Sequence, residues 1–157
     1  MSATLLRTGS AALVALFPIA LAAQEVTVAT ALGDVAVPAN PETIAVLDIA
    51  AIDTLTALGV SIEGVPSPVY LSRLQPVADA ATVVGDLFEP DYEALANLAP
   101  GLIIAGGRSS TVVPALSEVA PTIDMTIWGD GHIDQVKART LPMARSSALK
   151  RRRRRWS

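Results

Sequence analysis

Hydrophobic positions follow two rhythms along the chain. Residues 25–30 (EVTVAT) and 34–38 (DVAVP) alternate apolar with polar residues around a Leu32-Gly33 turn, which predicts a small β-hairpin. After Asn40-Pro41 the rhythm changes to short unbroken apolar runs, each followed by residues at helical spacing. The first run, residues 43–47 (TIAVL), predicts a buried strand. Asp48 then stands where it can cap a helix whose apolar face is Ile49, Ile52, Leu55 and Leu58 and which Gly59 ends. Residues 60–65 (VSIEGV) predict a second strand broken by Pro66-Ser67-Pro68, residues 70–78 a connection, and residues 82–84 a short strand backed by Gly85. Pro90 and Asp91 open a helix that runs through Leu98, Pro100 and Gly101 close it, and residues 102–105 (LIIA) read as an interior strand. A helix over about 112–120, a strand over 122–127 and the start of another helix over 131–140 complete the pattern.

Strands that alternate with helices over short connections predict an α/β fold. The sheet should be parallel and flanked by helices on both faces, because parallel neighbours need long crossovers. In such sheets ligands meet the carboxyl ends of the strands. Gly106, Gly107, Arg108, Ser109 and Ser110 occupy that place after residues 102–105. Backbone N–H groups and a guanidinium are therefore expected to converge at the N-terminus of the following helix, an arrangement suited to an anion.

Composition adds limits. With 157 residues, 51% of them hydrophobic and 17% charged, the chain has the make-up of a globular protein with room for one modest core. Arg7, the apolar run over 11–21 and Ala20-Leu21-Ala22 predict a secretory signal over 1–22, removed after Ala22. That run is shorter than the ~20 residues a spanning helix needs, and no later stretch approaches it, so no membrane span is expected after processing. The absence of cysteine removes disulfides and lipid attachment, and a free, monomeric protein of the periplasm is expected. Charge is divided unevenly. Residues 23–140 hold four basic residues (Arg73, Arg108, Lys137, Arg139) against 15 acidic ones, a formal −11, whereas residues 141–157 hold seven basic residues and no acid.

These features, together with the phrases NPETIAVLDIAAIDTLTALGV, GVPS, VVGDLFEPDYEALANLAPGLIIAGGR and LSEVAPTI in this order, resemble the periplasmic ferric-siderophore-binding proteins of ABC importers. In that class one long helix joins two α/β lobes. The resemblance covers about residues 26–140. It implies a Rossmann-like N-terminal lobe over 23–140, a ferric siderophore as ligand, delivery to an inner-membrane ABC permease, and no cofactor and no chemistry on the ligand. The pattern breaks at Pro142, inside what should be the connecting helix, where a proline costs about 3 kcal/mol. Residues 141–157, ending in Arg151 to Arg155, are therefore expected to be an out-of-frame or disordered tail on a truncated copy with weak or no uptake activity. The alternative is a single-lobed interaction module whose tail binds anionic lipid or nucleic acid, although no nucleic acid is expected for the receptor itself.

The resemblance also assigns roles. It makes Arg108 the cleft residue that contacts the anionic ferric complex, for which guanidinium supplies a planar fork of donors. Gly107, Ser109 and Ser110 can add donors, though turns and caps use the same residues. Tyr70, beside Pro66, Ser67 and Pro68, and Trp128 follow strand ends, and aromatic rings near an arginine suit flat catecholate groups. Glu93 matches the acid that docks into the permease, with Asp86, Glu89 and Asp91 around it, although a first-turn glutamate is also favoured by the helix dipole. Cobalamin or haem are the alternative ligands. His132 is the only histidine, too few for a zinc- or manganese-binding site or for a Ser–His–Asp triad, so neither a metal site nor an enzyme is expected.

Overall fold

The computed structural model describes residues 25–127. Trp128, His132, the signal over 1–22 and the basic segment over 141–157 lie outside the described residues. Strands β1 (Glu25–Thr30) and β2 (Gly33–Pro38) pair antiparallel as a hairpin. Its two-residue link is Ala31-Leu32, one position earlier than the pattern predicts. The Thr30 hydroxyl donates to the Gly33 carbonyl and accepts from the Leu32 N–H, which closes the loop at Gly33.

Five further strands form one parallel sheet: β3 (Ile44–Leu47), β4 (Gly64–Val65), β5 (Thr82–Val83), β6 (Leu102–Ala105) and β7 (Thr122–Asp124). Their spatial order is β5-β4-β3-β6-β7. The chain steps outward from β3 to β5 and then crosses to the other side of β3 to lay down β6. That reversal makes the gap between the ends of β3 and β6 the topological switch point, where ligands of such sheets bind.

The helices are α1 (Ile49–Ala57), α2 (Gln75–Ala80), α3 (Tyr92–Leu98) and α4 (Val113–Ser117). Every residue of β3 and β6 is buried, which is why these strands read as unbroken apolar runs rather than alternating ones. Strand alternation divides them between two faces. Ile44, Val46, Leu102 and Ile104 pack with Ile52 and Leu55 of α1 and with Val28 and Val37 of the hairpin. Ala45, Leu47, Ile103 and Ala105 pack with Leu95 of α3 and Leu116 of α4. A fully buried side chain of this size contributes about 1.5–3 kcal/mol, so the two central strands anchor both layers.

Three elements depart from the predicted lengths. Strand β4 is confined to Gly64–Val65, preceded by Glu63, whose N–H donates to the Ile44 carbonyl at 3.0 Å, whose carbonyl accepts the Thr82 N–H at 2.8 Å and whose carboxylate accepts the Ile44 N–H at 2.8 Å. Strand β7 stops at Asp124, whose own carboxylate accepts from the Thr126 N–H and hydroxyl and turns the chain. The helix expected over 112–120 is a 3₁₀ turn over Gly107–Val112 followed by the five-residue α4, with Pro114 in its first turn.

Candidate functional site

Four strand ends meet around one open cavity of about 430 Å³, within the size range of small-molecule sites. Ile49 reaches it from the end of β3, Ser67, Pro68, Tyr70 and Leu71 from beyond β4, Asp86, Leu87 and Phe88 from beyond β5, and Arg108 from beyond β6. The sheet topology therefore brings together Arg108 and Tyr70, which stand 38 positions apart in the chain. Trp128, the other aromatic residue assigned to the cleft, lies outside the described residues.

Arg108 is exposed and has no carboxylate partner among the described residues. The other basic residue of the described chain, Arg73, is neutralised locally: its Nε and guanidinium nitrogen bind both oxygens of Asp53 at 2.9 and 2.8 Å. That pair holds the Asp53 carboxyl below its usual range, chiefly through the hydrogen bond from Arg73. The cavity thus contains the one cation left free among the described residues.

The turn that carries Arg108 is stitched from within, and this corrects the expectation of free backbone donors. The Gly106 N–H donates to Ser109 Oγ at 3.0 Å, the Gly107 N–H to Thr126 Oγ1 at 2.8 Å, and the Ser109 N–H to the Gly106 carbonyl at 3.2 Å. Ser109 itself is wholly buried, and its hydroxyl donates to the Leu47 carbonyl at 2.7 Å across the switch point. Ser109 therefore ties β6 to β3 and is not available to a ligand. Ser110 likewise donates to the Gly107 carbonyl at 2.9 Å. Gly107 contributes through its conformation: its φ of +57° lies in the left-handed region and aims the next residue out of the sheet.

Asp48 caps α1, accepting the Ala51 N–H at 2.6 Å, and sits directly under this turn. A Cβ on Gly106 would lie 3.1 Å from Asp48 Oδ2, so the glycine lets turn and carboxylate approach. Burial pushes the Asp48 carboxyl above its ordinary range. N–H groups of Ala51 and Ala50 oppose the rise, and the Asp124 carboxylate adds to it.

The β5 side is built differently. Gly85 has φ +90°, and a Cβ there would come within 2.3 Å of the Asp91 nitrogen, so only glycine fits. Asp86 Oδ1 accepts the N–H groups of Phe88 at 2.6 Å and Glu89 at 2.8 Å, which holds its carboxyl below the usual range. This Asx turn presents Phe88 to water with 63% of its surface exposed, while Tyr70 on the facing loop is 87% exposed. Phe88 was missed in the sequence because an apolar residue beside Leu87 reads as core. The signal that finds it is the Gly85-Asp86 turn, which lifts whatever follows away from the sheet.

Just beyond, Asp91 caps α3 by accepting the Ala94 N–H at 2.9 Å, and Glu93 stands exposed in the first turn. Among the described residues no group of three or more His, Cys, Asp or Glu side chains is placed to hold a metal ion, and no helix is long and apolar enough to cross a membrane.

No family model matches the chain. It is 37% identical to the petrobactin-binding protein YclQ of Bacillus subtilis over 107 residues, which is 65% of this chain and 33% of the relative. The YclQ crystal structure superposes with a TM-score of 0.72 at 31% identity, covering 78% of this chain and 45% of that one. The iron-uptake ABC transporter substrate-binding protein PiuA of Streptococcus pneumoniae gives a TM-score of 0.70 at 34% identity, covering 78% and 44%. The periplasmic catecholate-siderophore-binding protein VctP of Vibrio cholerae gives 0.69 at 27%, covering 80% and 46%. The chain thus spans about a third of the curated relative and under half of each solved one, and all three are binding proteins. With a parallel sheet and a cavity at its carboxyl edge, the chain is similar over most of its length to one part of the siderophore-binding substrate-binding proteins of ABC importers.

Proposed function

We propose that residues 23–140 form one wall of a receptor for an iron(III)–siderophore complex, exported through a cleavable signal over 1–22 to the periplasm, where it serves an ABC importer. The observation that carries this reading is Arg108, which has no carboxylate partner among the described residues, in a cavity bounded by the carboxyl ends of β3, β4, β5 and β6. Arg108 grips negative oxygens of the chelate with its planar fork of donors. Tyr70 covers a face of the ligand from the β4 loop. Gly107 sets the direction of Arg108 through its backbone. The iron complex is cargo, bound and released without covalent change, so the protein is a binding component and not an enzyme.

Glu93 is the docking acid for the permease. Its exposure in the first turn of α3, next to the exposed Glu89, supports this role, since both carboxylates point away from the core and can reach a basic partner.

Titration of the 157-residue chain with ferric catecholate and ferric hydroxamate complexes tests the reading. Arg108→Ala should weaken binding about tenfold to a hundredfold, the value of a charge-assisted hydrogen bond, and Arg108→Lys should recover only part of it. Equal affinity for wild type and Arg108→Ala would overturn the proposal.

A further inference from the structure

The pairing of β6 with β7 ends irregularly, and Arg108 lies just past that end. Up to Ala105 the parallel ladder is regular: the Ile103 N–H donates to the Pro121 carbonyl and the Met125 N–H to the Ala105 carbonyl, both at 2.8 Å. The next rung of such a ladder takes the Gly107 N–H to the backbone carbonyl of Met125. The chain gives it instead to a side chain, Thr126 Oγ1, at 2.8 Å. Gly107 is thereby released from the extended conformation to its φ of +57°, and Arg108 leaves the line of the strand for the cavity.

Thr126 is buried, and the direction of its single hydroxyl proton is fixed. Asp124 Oδ1 accepts that proton and also accepts the Thr126 N–H at 2.9 Å, so the hydroxyl oxygen offers Gly107 a lone pair. Asp124 is buried as well and forms no ion pair with the described basic residues. A buried carboxylate costs hydration, and for stability alone an apolar residue of similar volume would serve as well. What the carboxylate supplies is polarity, a charge-assisted bond that holds the hydroxyl one way round. The Gly106 N–H is held in the same manner from β3, through Ser109 Oγ, whose proton goes to the Leu47 carbonyl. Two hydroxyls with committed protons thus pin the two glycines that precede Arg108, and Thr126 is the one that reaches its immediate neighbour.

We infer that Thr126, polarised by the buried Asp124 carboxylate, is a positioning residue for chelate binding, fixing the Gly107 N–H and through it the direction of Arg108. The inference rests on the function proposed above and adds to it two residues that do not line the cavity.

The test combines calorimetric titration of the 157-residue chain with ferric tris(2,3-dihydroxybenzoate), an anionic chelate, and hydrogen exchange at the Gly107 amide. Thr126→Val keeps the shape and removes the hydroxyl; it should weaken binding about fivefold and speed Gly107 exchange at least about tenfold. Thr126→Ser, which restores the hydroxyl, should stay within about twofold of wild type in both. Asp124→Ala should weaken binding to a similar degree as Thr126→Val, and if it fails to fold the Thr126 variants carry the test. Thr122→Val removes a β7 hydroxyl that donates to the Ala120 carbonyl, away from the turn, and should change neither readout. In the Arg108→Ala background Thr126→Val should add less than about twofold, because the side chain it aims is gone. Full additivity with Arg108→Ala, no rescue by serine, unchanged Gly107 exchange, or an equal loss from Thr122→Val would overturn the inference. If Arg108→Ala weakens binding while Thr126→Val does not, the receptor stands and the positioning fails. If the chelate does not bind, or Arg108→Ala changes nothing, the receptor reading fails and the role in binding fails with it.

Discussion

The turns after β5 and β6 solve the same problem with opposite materials. Each leaves a parallel strand, exposed in β5 and buried in β6, at the carboxyl edge of the sheet, and each must satisfy backbone N–H groups beside an open cavity. After β6 the chain recruits hydroxyls, Ser109 and Thr126, and turns them inward, leaving the long Arg108 side chain outside. After β5 it recruits a carboxylate, Asp86, at the surface, leaving the Phe88 ring outside. In both, the scaffold binds several backbone N–H groups of the turn, those of Gly106, Gly107 and Ser109 after β6 and those of Asp86, Phe88 and Glu89 after β5, and long side chains are left facing the cavity. Such a site can change its ligand by changing side chains at Arg108, Phe88 and Tyr70 without rebuilding the turns.

The sharpest contrast between the turns lies in their glycines. Gly85→Ala puts a Cβ 2.3 Å from one backbone atom and 2.5 Å from another, in addition to a left-handed φ, and should destabilise the fold by about 3 kcal/mol or more in chemical denaturation. Gly107→Ala meets only Asp48 Oδ2, at 3.4 Å, and should cost about 1 kcal/mol. Equal costs would mean that the two turns are not held as described.

Next in size is Ser109→Ala. It leaves the Leu47 carbonyl and the Gly106 N–H without their buried partner and should cost about 2 kcal/mol by the same assay. It should also weaken chelate binding by loosening the Arg108 turn, whereas Ser110→Ala should do neither.

Asp48 separates capping from charge. Asp48→Ala removes the cap of α1 and should cost about 1 kcal/mol, while Asp48→Asn keeps a capping oxygen. Burial raises the folded-state pKa of Asp48, so the native state holds this proton more firmly than the unfolded chain. Its contribution therefore makes stability fall as pH rises from about 3.8 through the raised value, and Asp48→Asn should remove that component.

The smallest effect belongs to the β5 turn. Asp86 has a lowered folded-state pKa, so its contribution is present above about 3.8 and lost as pH falls through the lowered value, the opposite sign to Asp48. Asp86→Ala should lower the melting temperature slightly at neutral pH and converge with wild type in acid, where the contribution is already lost.

These contrasts follow what was legible in the sequence. Residues 102–105 and the Asp48 cap were legible because an apolar run closed by Gly101 and Gly106, and an aspartate before a helical stripe, each have one local interpretation. The placement of Arg108 and Tyr70 at one edge followed from strand and helix alternation alone. The inward commitment of Ser109 was not legible, because its partner Leu47 lies 62 residues away and nothing local distinguishes it from an exposed turn serine. Nor was the capture of the Gly107 N–H by Thr126, 19 residues on, for the same reason. The early end of β7 was hidden because its cause, the Asp124 carboxylate, reads as an ordinary polar residue next to a strand.

The central claim is that a ferric chelate binds across the carboxyl ends of β3, β4, β5 and β6. Paramagnetic broadening of backbone amide signals in an isotope-labelled sample measures this directly, because high-spin iron broadens only nearby protons. On adding a ferric catecholate complex, the amides of Ile49, Tyr70, Leu71, Phe88 and Arg108 should be lost first, while those of the hairpin residues Thr27 and Ala36 persist. Loss centred on the amino ends of the strands, or uniform broadening that Arg108→Ala does not diminish, would contradict the account.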